Sequence, residues 1–315
     1  MSAATTGSRA ESAARDPKRD LRRDPRRDPK TPAAVSAGRR RIPWARLPGS
    51  ALIWLFVAFC AFTFLFILLS SLKSSYNVLN HPFRLPTELK FANWSKAWHD
   101  GGFGPAFVNS VLVVAVAAAG TVLLASPAAY VLGRNQNRVS GGVSMYFVLG
   151  LGIPMQIIVL PLYSIMAKMH LIDNLAGLIV LYVVVNLPFT VYLLMSFFAS
   201  LPGELEEAAA LDGVGPGMTF WRIMLPLAKG GLMTALTLVA IACWNETFLA
   251  LMFLQTNDNF TLPLALVNFL TQQQFTGEDF GVMFAGVSIA VLPMLALYAW
   301  LGRRITEGLT LGAGK

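Results

Sequence analysis

The sequence predicts an all-α integral membrane protein with six transmembrane helices. Apolar residues make up 55% of its 315 residues and charged residues 13%, whereas charged residues are about 25% of an average soluble domain. The mean hydropathy is +0.57. Apolar runs of about 20 residues, long enough to cross a bilayer, recur along the chain. A lipid bilayer therefore accounts for this much apolar surface more simply than one globular core does.

Six apolar runs are the candidate spans, and each is bounded by polar or charged residues. A Lys, Arg or Asp at the centre of a membrane helix costs about 2.5–3.5 kcal/mol, and the six runs contain almost none. The predicted spans are residues 50–72, 106–132, 143–166, 175–199, 230–254 and 282–302. Proline removes a backbone hydrogen bond and kinks a helix. Five prolines lie within these spans: Pro127, Pro154, Pro161, Pro188 and Pro293.

Residues 1–48 differ in composition from the rest of the chain. They carry a loose Arg-Arg-Asp-Pro repetition and 13 of the 25 Lys and Arg residues. Such a segment buries too little apolar surface to offset the entropy of ordering, so it is predicted to be a disordered basic tail. Its charge is expected to hold the N-terminus in the cytoplasm and to attract anionic membrane lipids. An even number of spans then places both termini in the cytoplasm. Nucleic-acid binding is the alternative explanation of this charge. The tail lacks the interleaved aromatic residues and the binding fold that would favour such a partner.

No catalytic motif accompanies the spans. Gly213, Gly215 and Gly217 lie close together, but no Lys-Ser/Thr pair follows to hold phosphate and Mg²⁺, so we expect no ATPase site in this chain. Cys60 and Cys243 lie in predicted spans and are interpreted as buried apolar residues. The histidines lack the spacing of metal ligands. The sequence therefore predicts no enzyme activity, no metal site and no cofactor of its own.

One acid lies well inside a span, in the sequence Trp244-Asn245-Glu246. An intramembrane carboxylate usually faces a bundle interior or a watery cavity and is a functional candidate. Asn245 can both donate and accept hydrogen bonds, as a hydroxyl-rich solute would require. Gln156, in the third span, is a weaker candidate of the same kind. A polar contact between helices, or a position near the wet interface, is the alternative for Glu246, and both interpretations remain open.

The segment Glu206–Leu227, EEAAALDGVGPGMTFWRIMLPL, lies in a long loop (residues 200–229) that the predicted topology places in the cytoplasm. Acids at its start favour the first turn of a helix because of the helix dipole. The glycines around Pro216 predict a turn, and residues 218–224 predict a second short helix. Two such helices are too polar to insert and are expected at the membrane surface. Anionic lipid would repel the acids, so a protein partner in the cytoplasm is expected.

The spacing of this segment resembles the EAA loop of bacterial ABC importer permeases, written EAA-x3-G-x9-I-x-LP. Glu207-Ala208-Ala209 is followed after three residues by Gly213, after nine more by Ile223, and after one more by Leu225-Pro226. The residue types and the spacings all match. PLY at 161–163, the WNE sequence and the ending EGLTLGAGK resemble the carbohydrate-uptake branch, specifically the second permease of a maltose-type pair. The resemblance covers about residues 50–315 and excludes the tail.

This resemblance implies a six-helix permease whose EAA loop, between the fourth and fifth spans, forms coupling helices that dock on an ATPase. The residues assigned to ATPase coupling are Glu206, Glu207, Ala208, Ala209, Asp212, Gly213, Ile223, Leu225 and Pro226. It also implies that the C-terminal region at Gly308 and Gly312 reaches the ATPase. The sequence departs from the family pattern at Gly215-Pro216-Gly217, which leaves the start of the second short helix open.

The resemblance further implies the partners and the location. The partners are a second homologous permease, a dimer of ATP-binding cassette subunits that bind ATP and Mg²⁺, and an extracytoplasmic solute-binding protein. The location is the bacterial cytoplasmic (inner) membrane, and the small-molecule substrate most favoured is a sugar or oligosaccharide. A non-sugar solute, such as a polyol or sugar phosphate, is the first alternative. A stand-alone secondary carrier is disfavoured, because it would need internal repeats and more membrane-buried ionisable residues than the sequence shows. A membrane-embedded enzyme is disfavoured because no set of catalytic residues is found.

Overall fold

The computed structural model describes residues 47–135, 137–277 and 279–313, with side chains placed for residues 50–135, 137–275, 277 and 279–299. Residues 1–46 of the predicted basic tail lie outside the described residues, so its disorder remains a prediction. Two structural units are distinguished, residues 1–53 and residues 54–315. Of the first unit, only the initial turns of α1 are described.

Every regular element in the described residues is helical, which agrees with the predicted all-α class. The helices are α1 Leu47–Ser70, α2 Ser75–Asn80, α3 Ala92–Asp100, α4 Phe103–Arg134, α5 Arg138–Leu151, α6 Met155–Lys168, α7 Leu175–Ser200, α8 Glu204–Leu211, α9 Pro216–Thr219, α10 Leu225–Leu227, α11 Lys229–Asn245, α12 Phe248–Phe253, α13 Leu262–Thr276 and α14 Phe280–Ala313. A π-helical turn, Phe220–Met224, joins α9 to α10, and a 3₁₀ turn, Asn257–Asn259, precedes α13.

Four helices in the described part of the chain are long and apolar enough to cross a membrane: Ser50–Ser70, Phe103–Arg134, Leu175–Ser200 and Phe280–Ala299. Two bent pairs raise the number to as many as six if each pair counts as one span. These pairs are α5 with α6, bent by 101°, and Pro216–Leu227 with α11, bent by 75°. The six predicted spans match the upper number in count, but the second pair joins residues 216–227 to α11, whereas the fifth predicted span continues from α11 to residue 254.

Two predicted spans are interrupted. The third, residues 143–166, breaks between α5 and α6, because Pro154 lacks an N–H group and disfavours the helical conformation at Ile153. Pro154 itself is extended, with ψ 128°, and precedes the first turn of α6. The fifth, residues 230–254, is divided at Glu246 and Thr247 into α11 and the short α12.

The centre of the bundle is the packing of α4 along α7. Five of the buried residues of α4 are alanines: Ala106, Ala117, Ala118, Ala125 and Ala129. Small residues allow the backbones of two membrane helices to approach closely. At Gly133 a Cβ atom would lie 2.8 Å from the carbonyl oxygen of Met195 in α7, so the two helices are in near-backbone contact at this end.

The apolar interior forms two clusters. The first surrounds Tyr182 and Trp244 and includes the large buried rings of Phe103, Phe253 and Phe269. The second lies at the end of the bundle where α4 and α7 finish, and its buried members are Ala125, Ala129, Val191, Leu194, Phe198, Phe220, Met224, Ala228 and Ala235. The second cluster fixes the segment between α7 and α11 against the bundle.

Helix α1 presents an almost wholly exposed apolar surface. From Trp54 to Leu69 no side chain is buried, and Trp54, Leu55 and Phe56 are each about two-thirds exposed. An apolar helix of this kind needs lipid or another helix around it. This surface is consistent with a protein that lies in a bilayer.

Candidate functional site

The predicted EAA-type segment folds as short helices between α7 and α11, and we call residues 201–228 the connecting segment. Helix α8 covers the first part. The second helical run begins at Pro216, at the first helical position, where proline is favoured because its missing N–H would have no partner. It therefore starts two residues earlier than Met218, the start predicted from sequence, and it continues through the π-helical turn to Leu227.

Gly213 ends α8 in a Schellman motif. The N–H of Gly213 donates to the carbonyl of Ala210 at 3.1 Å, and the N–H of Val214 donates to the carbonyl of Ala209 at 2.9 Å. Asp212 is the cap residue, and Gly213 has φ +75°, which a glycine adopts without strain. No atom lies within 4 Å of a Cβ built at Gly213. Its backbone conformation, and not a lack of space, therefore explains a glycine four residues after Ala209.

The π-helical turn explains how the Leu225-Pro226 pair fits inside a continuous helical run. The N–H of Leu225 donates to the carbonyl of Phe220, five residues earlier. Pro226 has no N–H, and its ring would crowd the carbonyl of Arg222 in a regular α-helix. A wider turn accommodates the proline within the helix.

Glu206 binds the end of α4. The guanidinium of Arg134 donates through Nε to Glu206 Oε2 at 2.9 Å and through Nη2 to the same oxygen, and the Tyr130 hydroxyl donates to Oε1 at 2.6 Å. Arg134 also donates through Nη1 to the carbonyl of Leu201 at 2.8 Å. Desolvation alone would raise the pKa of Glu206, but the bonds from Arg134 and Tyr130 outweigh it and lower that pKa. The carboxylate is therefore ionised and held within its own chain.

Aromatic packing holds the second helical run at the same place. The ring of Tyr130 lies 5.6 Å from that of Phe198 in α7 and 5.1 Å from that of Phe220. Phe220 and Met224 are buried in the second apolar cluster. Tyr130 thus joins α4, α7 and both short helical runs of the connecting segment.

The coupling residues assigned from sequence fall into two groups. Those that face the chain's own bundle are Glu206, Ala209, Ile223 and Leu225, which are buried or half-buried. Those on an exposed surface are Glu207, Ala208, Asp212, Gly213 and Pro226. Glu204 and Leu211 share the exposed face of α8, and Leu211 is 89% exposed. The structure therefore places an acidic face with one protruding leucine outward.

Glu246 holds the break between α11 and α12. Its carboxylate accepts hydrogen bonds from the backbone N–H groups of Leu249 at 2.8 Å and Ala250 at 3.3 Å, and from the Tyr182 hydroxyl at 2.9 Å. The first turn of α12 thus receives the acceptor that an isolated helix start lacks. Of the two interpretations left open by the sequence, this geometry favours the polar contact between helices.

Asn245 and Gln156 are both exposed. The Asn245 amide donates to the carbonyl of Ile241 in its own helix at 2.8 Å. An open groove of about 660 Å³ lies nearby, lined by Trp94, Ser95, Trp98, Phe107, Ile289, Leu292, Pro293 and Ala296. The ring of Phe107 packs edge-to-face on Trp244, with centroids 6.1 Å apart. Trp244 therefore packs behind one wall of this groove.

Asp173 is a polar centre that the sequence did not indicate. Its carboxylate accepts from the backbone N–H groups of Gln255 and Thr256 at 2.9 and 3.0 Å, and from the side chains of Thr256 and Asn259. Its own N–H donates to the carbonyl of Phe253 at 2.8 Å. Desolvation would raise the pKa of Asp173, but these bonds outweigh it and lower the pKa to about 2. Asp173 thus ties the loop after α6 to the loop after α12.

The residues missed by sequence reasoning are Tyr130, Arg134, Asp173 and Tyr182. Tyr130 and Arg134 are four residues apart at the end of a span, which places them on one helix face. That spacing was the available signal. Within the described residues, no group of three His, Cys, Asp or Glu side chains is arranged to hold a metal ion.

Residues 125–309 match a family described as binding-protein-dependent transport system inner membrane component. The chain belongs to this family. The matched region contains the connecting segment and the WNE sequence. Membership confirms the resemblance drawn from the EAA spacing and identifies a permease subunit that crosses the inner membrane several times.

Curated members of the family align over most of their length. The chain is 34% identical over 282 residues to the diacetylchitobiose uptake system permease protein NgcG of Streptomyces coelicolor, covering 89% of this chain and 91% of that protein. It is 33% identical over 280 residues to the trehalose transport system permease protein SugB of Mycobacterium tuberculosis, covering 88% and 98%. A bacterial ABC transporter involved in the import of the acidic polysaccharide alginate has a chain of the same fold, with a TM-score of 0.70 and 21% identity, covering 82% of this chain and 95% of that chain.

Proposed function

We propose that this chain is a transmembrane permease subunit of an ATP-driven, binding-protein-dependent importer of a sugar or oligosaccharide, coupled to its ATPase through the connecting segment. The observation that carries the proposal is the exposed face of α8. Three acids, Glu204, Glu207 and Asp212, and the protruding Leu211 lie there without a partner side chain in the described part of the chain.

The chemistry of this face defines the partner surface that fits it. A complementary ATPase surface offers cations to Glu207 and Asp212 and an apolar depression to Leu211. Ala208 adds no bulk, which allows the helix to sit deep in a cleft. The permease provides the path and the lever, while ATP and Mg²⁺ are bound by the partner subunits.

The proposed orientation places the connecting segment and both termini in the cytoplasm. Helix α14 continues to Ala313, and we assign Gly308 and Gly312 near its end to a second ATPase contact. A second, homologous permease covers the exposed apolar faces that lipid does not. A solute-binding protein delivers cargo at the opposite face of the membrane.

ATP-driven closure of the ATPase dimer would move the docked α8 and switch the bundle between inward- and outward-facing states. Asn245 is the side chain we assign to the path, because its amide is exposed and its Oδ1 is an acceptor for a hydroxyl group. Glu246 supports the path by holding the helix break that follows Asn245. Gln156, on α6, is a further polar candidate.

The sugar cargo is supported by the two relatives named above, whose names state transport of diacetylchitobiose and trehalose. The rings of Trp98 and Phe107 in the open groove are partly exposed, and aromatic faces provide flat apolar surfaces for ligands. A polyol or sugar phosphate remains the alternative cargo within the same function.

Uptake by the reconstituted complex tests the proposal. The chain is co-expressed with a cognate permease, ATPase and solute-binding protein, and proteoliposomes are loaded with ATP. We expect uptake of radiolabelled trehalose or diacetylchitobiose that requires both ATP and the binding protein. Uptake driven by a proton or sodium gradient without ATP would instead identify a secondary carrier. Competition by a polyol or sugar phosphate, but not by either sugar, would reassign the cargo.

A further inference from the structure

We propose that Arg134 and Glu206 form the linkage that transmits the movement of α8 to α4, so that both are positioning residues for transport. This inference rests on the proposed docking of α8 on an ATPase. It assigns to Glu206 a role different from docking: its carboxylate is turned toward α4, while the exposed acids of α8 remain for the partner.

Helix α8 has few other attachments to the bundle. Of its eight residues, Ala209 is buried, and Leu205 and Glu206 are half-buried. The polar side-chain bonds that the structure shows between α8 and a long helix are those of Glu206 to Tyr130 and Arg134. Apart from the backbone at its two ends, a force on α8 therefore reaches the bundle through one small apolar contact area and through this carboxylate.

The geometry of the carboxylate resists both rotation and sliding of α8. One oxygen receives two N–H groups of Arg134 and the other receives the Tyr130 hydroxyl. The remaining arm of the guanidinium donates to the carbonyl of Leu201, the cap residue that follows α7. A planar guanidinium presents its donors as a rigid fork, which a lysine ammonium cannot do. Arg134 thus fixes α8 relative to the ends of two long helices.

The partial burial of the pair adds to its strength. The side chains of Arg134 and Glu206 are 16% and 29% exposed, so water screens them less than a surface pair. The other ion pair in the described residues, Lys96 with Asp279, has a separation of 3.7 Å and side chains 53% and 36% exposed. That pair provides a matched control, because it lies outside the connecting segment and joins other elements.

Helix α4 is suited to carry the movement onward. It has 32 residues, which corresponds to a length of about 48 Å at 1.5 Å per residue. Near its other end, Asn109 donates to the carbonyls of Asp258 and Phe260 at 2.7 and 3.1 Å, and the Ser110 hydroxyl accepts from the N–H of Leu262 at 2.7 Å. A displacement at Arg134 therefore has a continuous bonded route to the loop before α13.

The competing explanation is that Arg134 and Glu206 only anchor α8. An anchor and a linkage predict different effects of substitution. An anchor affects the folding of α8 and its docking, whereas a linkage affects the substrate imported per ATP hydrolysed after docking is complete. The test uses the full complex in proteoliposomes with Glu206→Gln, Arg134→Gln, the double variant and Lys96→Gln. Docking is measured in each by photo-crosslinking from position 211 to the ATPase.

We expect Glu206→Gln and Arg134→Gln to retain the crosslink and ATP hydrolysis while raising the ATP consumed per substrate by about fivefold or more, the lower range of typical coupling energies. The double variant should be no worse than either single variant, because the two residues act as a unit. Lys96→Gln should leave the ratio unchanged. An unchanged ratio in both single variants, or loss of the crosslink in them, would overturn the linkage. Absence of the crosslink in the unaltered complex would instead contradict the proposed function itself.

Discussion

The hydroxyl of Tyr182, in α7, donates a hydrogen bond of 2.9 Å to the carboxylate of Glu246, at the point where α11 ends. The same carboxylate accepts the backbone N–H groups of Leu249 and Ala250 in the first turn of α12. An acid that the sequence places inside a predicted span is thus engaged in holding a helix break. Its removal should affect the fold before it affects the passage of a solute.

Replacing Glu246 with alanine should destabilise the chain by about 1–3 kcal/mol, because buried donors lose their acceptor. Glu246→Gln should cost less, since the amide oxygen can still accept a bond. Thermal unfolding of the purified protein in detergent measures the difference, and Tyr182→Phe, which removes one donor, serves as the milder comparison. Normal stability of Glu246→Ala together with lost uptake would show that Glu246 lines the path.

The sequence indicated Glu246 but could not decide its role, because its partner Tyr182 lies 64 residues earlier in the chain. The same limit applies to Glu206, whose partners Tyr130 and Arg134 are 76 and 72 residues away. By contrast, the two short helices and the turn at Gly213 were predictable, since a Schellman motif depends on neighbours within six residues. Local spacing thus revealed the shape of the connecting segment, while contacts between distant spans determined which acids face outward.

The break at Pro154 was also only partly predictable from local sequence. A proline in the middle of the third predicted span indicated a kink, but the size of the bend between α5 and α6, 101°, could not be read from the residues around Pro154. The start of the second short helix at Pro216, left open by the sequence, follows from the fixed φ of proline at the first helical position.

Asp173 should give the protein an acid-sensitive contribution to stability. Its pKa is about 2 in the folded chain against an ordinary value of 3.8. Because the folded pKa is the lower one, the stabilisation is present above about pH 4 and is lost as the pH falls toward 2. We expect Asp173→Asn to be less stable than the parent at pH 7 and the gap to narrow by pH 3. Asp258→Asn, which removes an exposed charge nearby, is the control, and a gap of constant size would contradict the assignment.

Gly177 should not tolerate a side chain. A Cβ at this position would overlap the backbone carbonyl oxygen of Leu171, and backbone cannot move aside as a flexible side chain can. Gly177→Ala should therefore reduce the yield and thermal stability of the folded protein. Gly142→Ala, in a helix with no atom within 4 Å of the new Cβ, should be neutral or stabilising by up to about 1 kcal/mol. Equal behaviour of the two variants would contradict the close packing described here.

Gly213 should be sensitive for a different reason, its φ of +75°. Alanine in the left-handed conformation costs roughly 1–2 kcal/mol, so Gly213→Ala should loosen the end of α8 and lower ATP-dependent uptake. Gly213→Asn should recover part of the loss, because asparagine tolerates this conformation. Gly217→Ala, at ordinary helical geometry with open space around it, is the matched control. Full uptake by Gly213→Ala would argue against a required turn.

Charge reversal at Glu207 should abolish coupling without preventing membrane insertion. Loss of a desolvated charge pair at an interface costs about 2–5 kcal/mol, which predicts a fall in uptake of at least about tenfold for Glu207→Lys. Uptake and the amount of protein in the membrane are measured together. Glu88→Lys reverses an exposed acid outside the connecting segment and should transport normally. Normal uptake by Glu207→Lys would remove Glu207 from the docking surface.

Photo-crosslinking from position 211 tests the central claim most directly, because Leu211 is 89% exposed on the outward face of α8. A photoreactive phenylalanine analogue is placed there in the assembled complex, and at position 275, where Phe275 is 85% exposed near the end of α13, as the control. The proposed coupling predicts a covalent product with the ATPase subunit from position 211 and none from position 275. A product from position 275 alone, or no ATPase product from position 211, would contradict it.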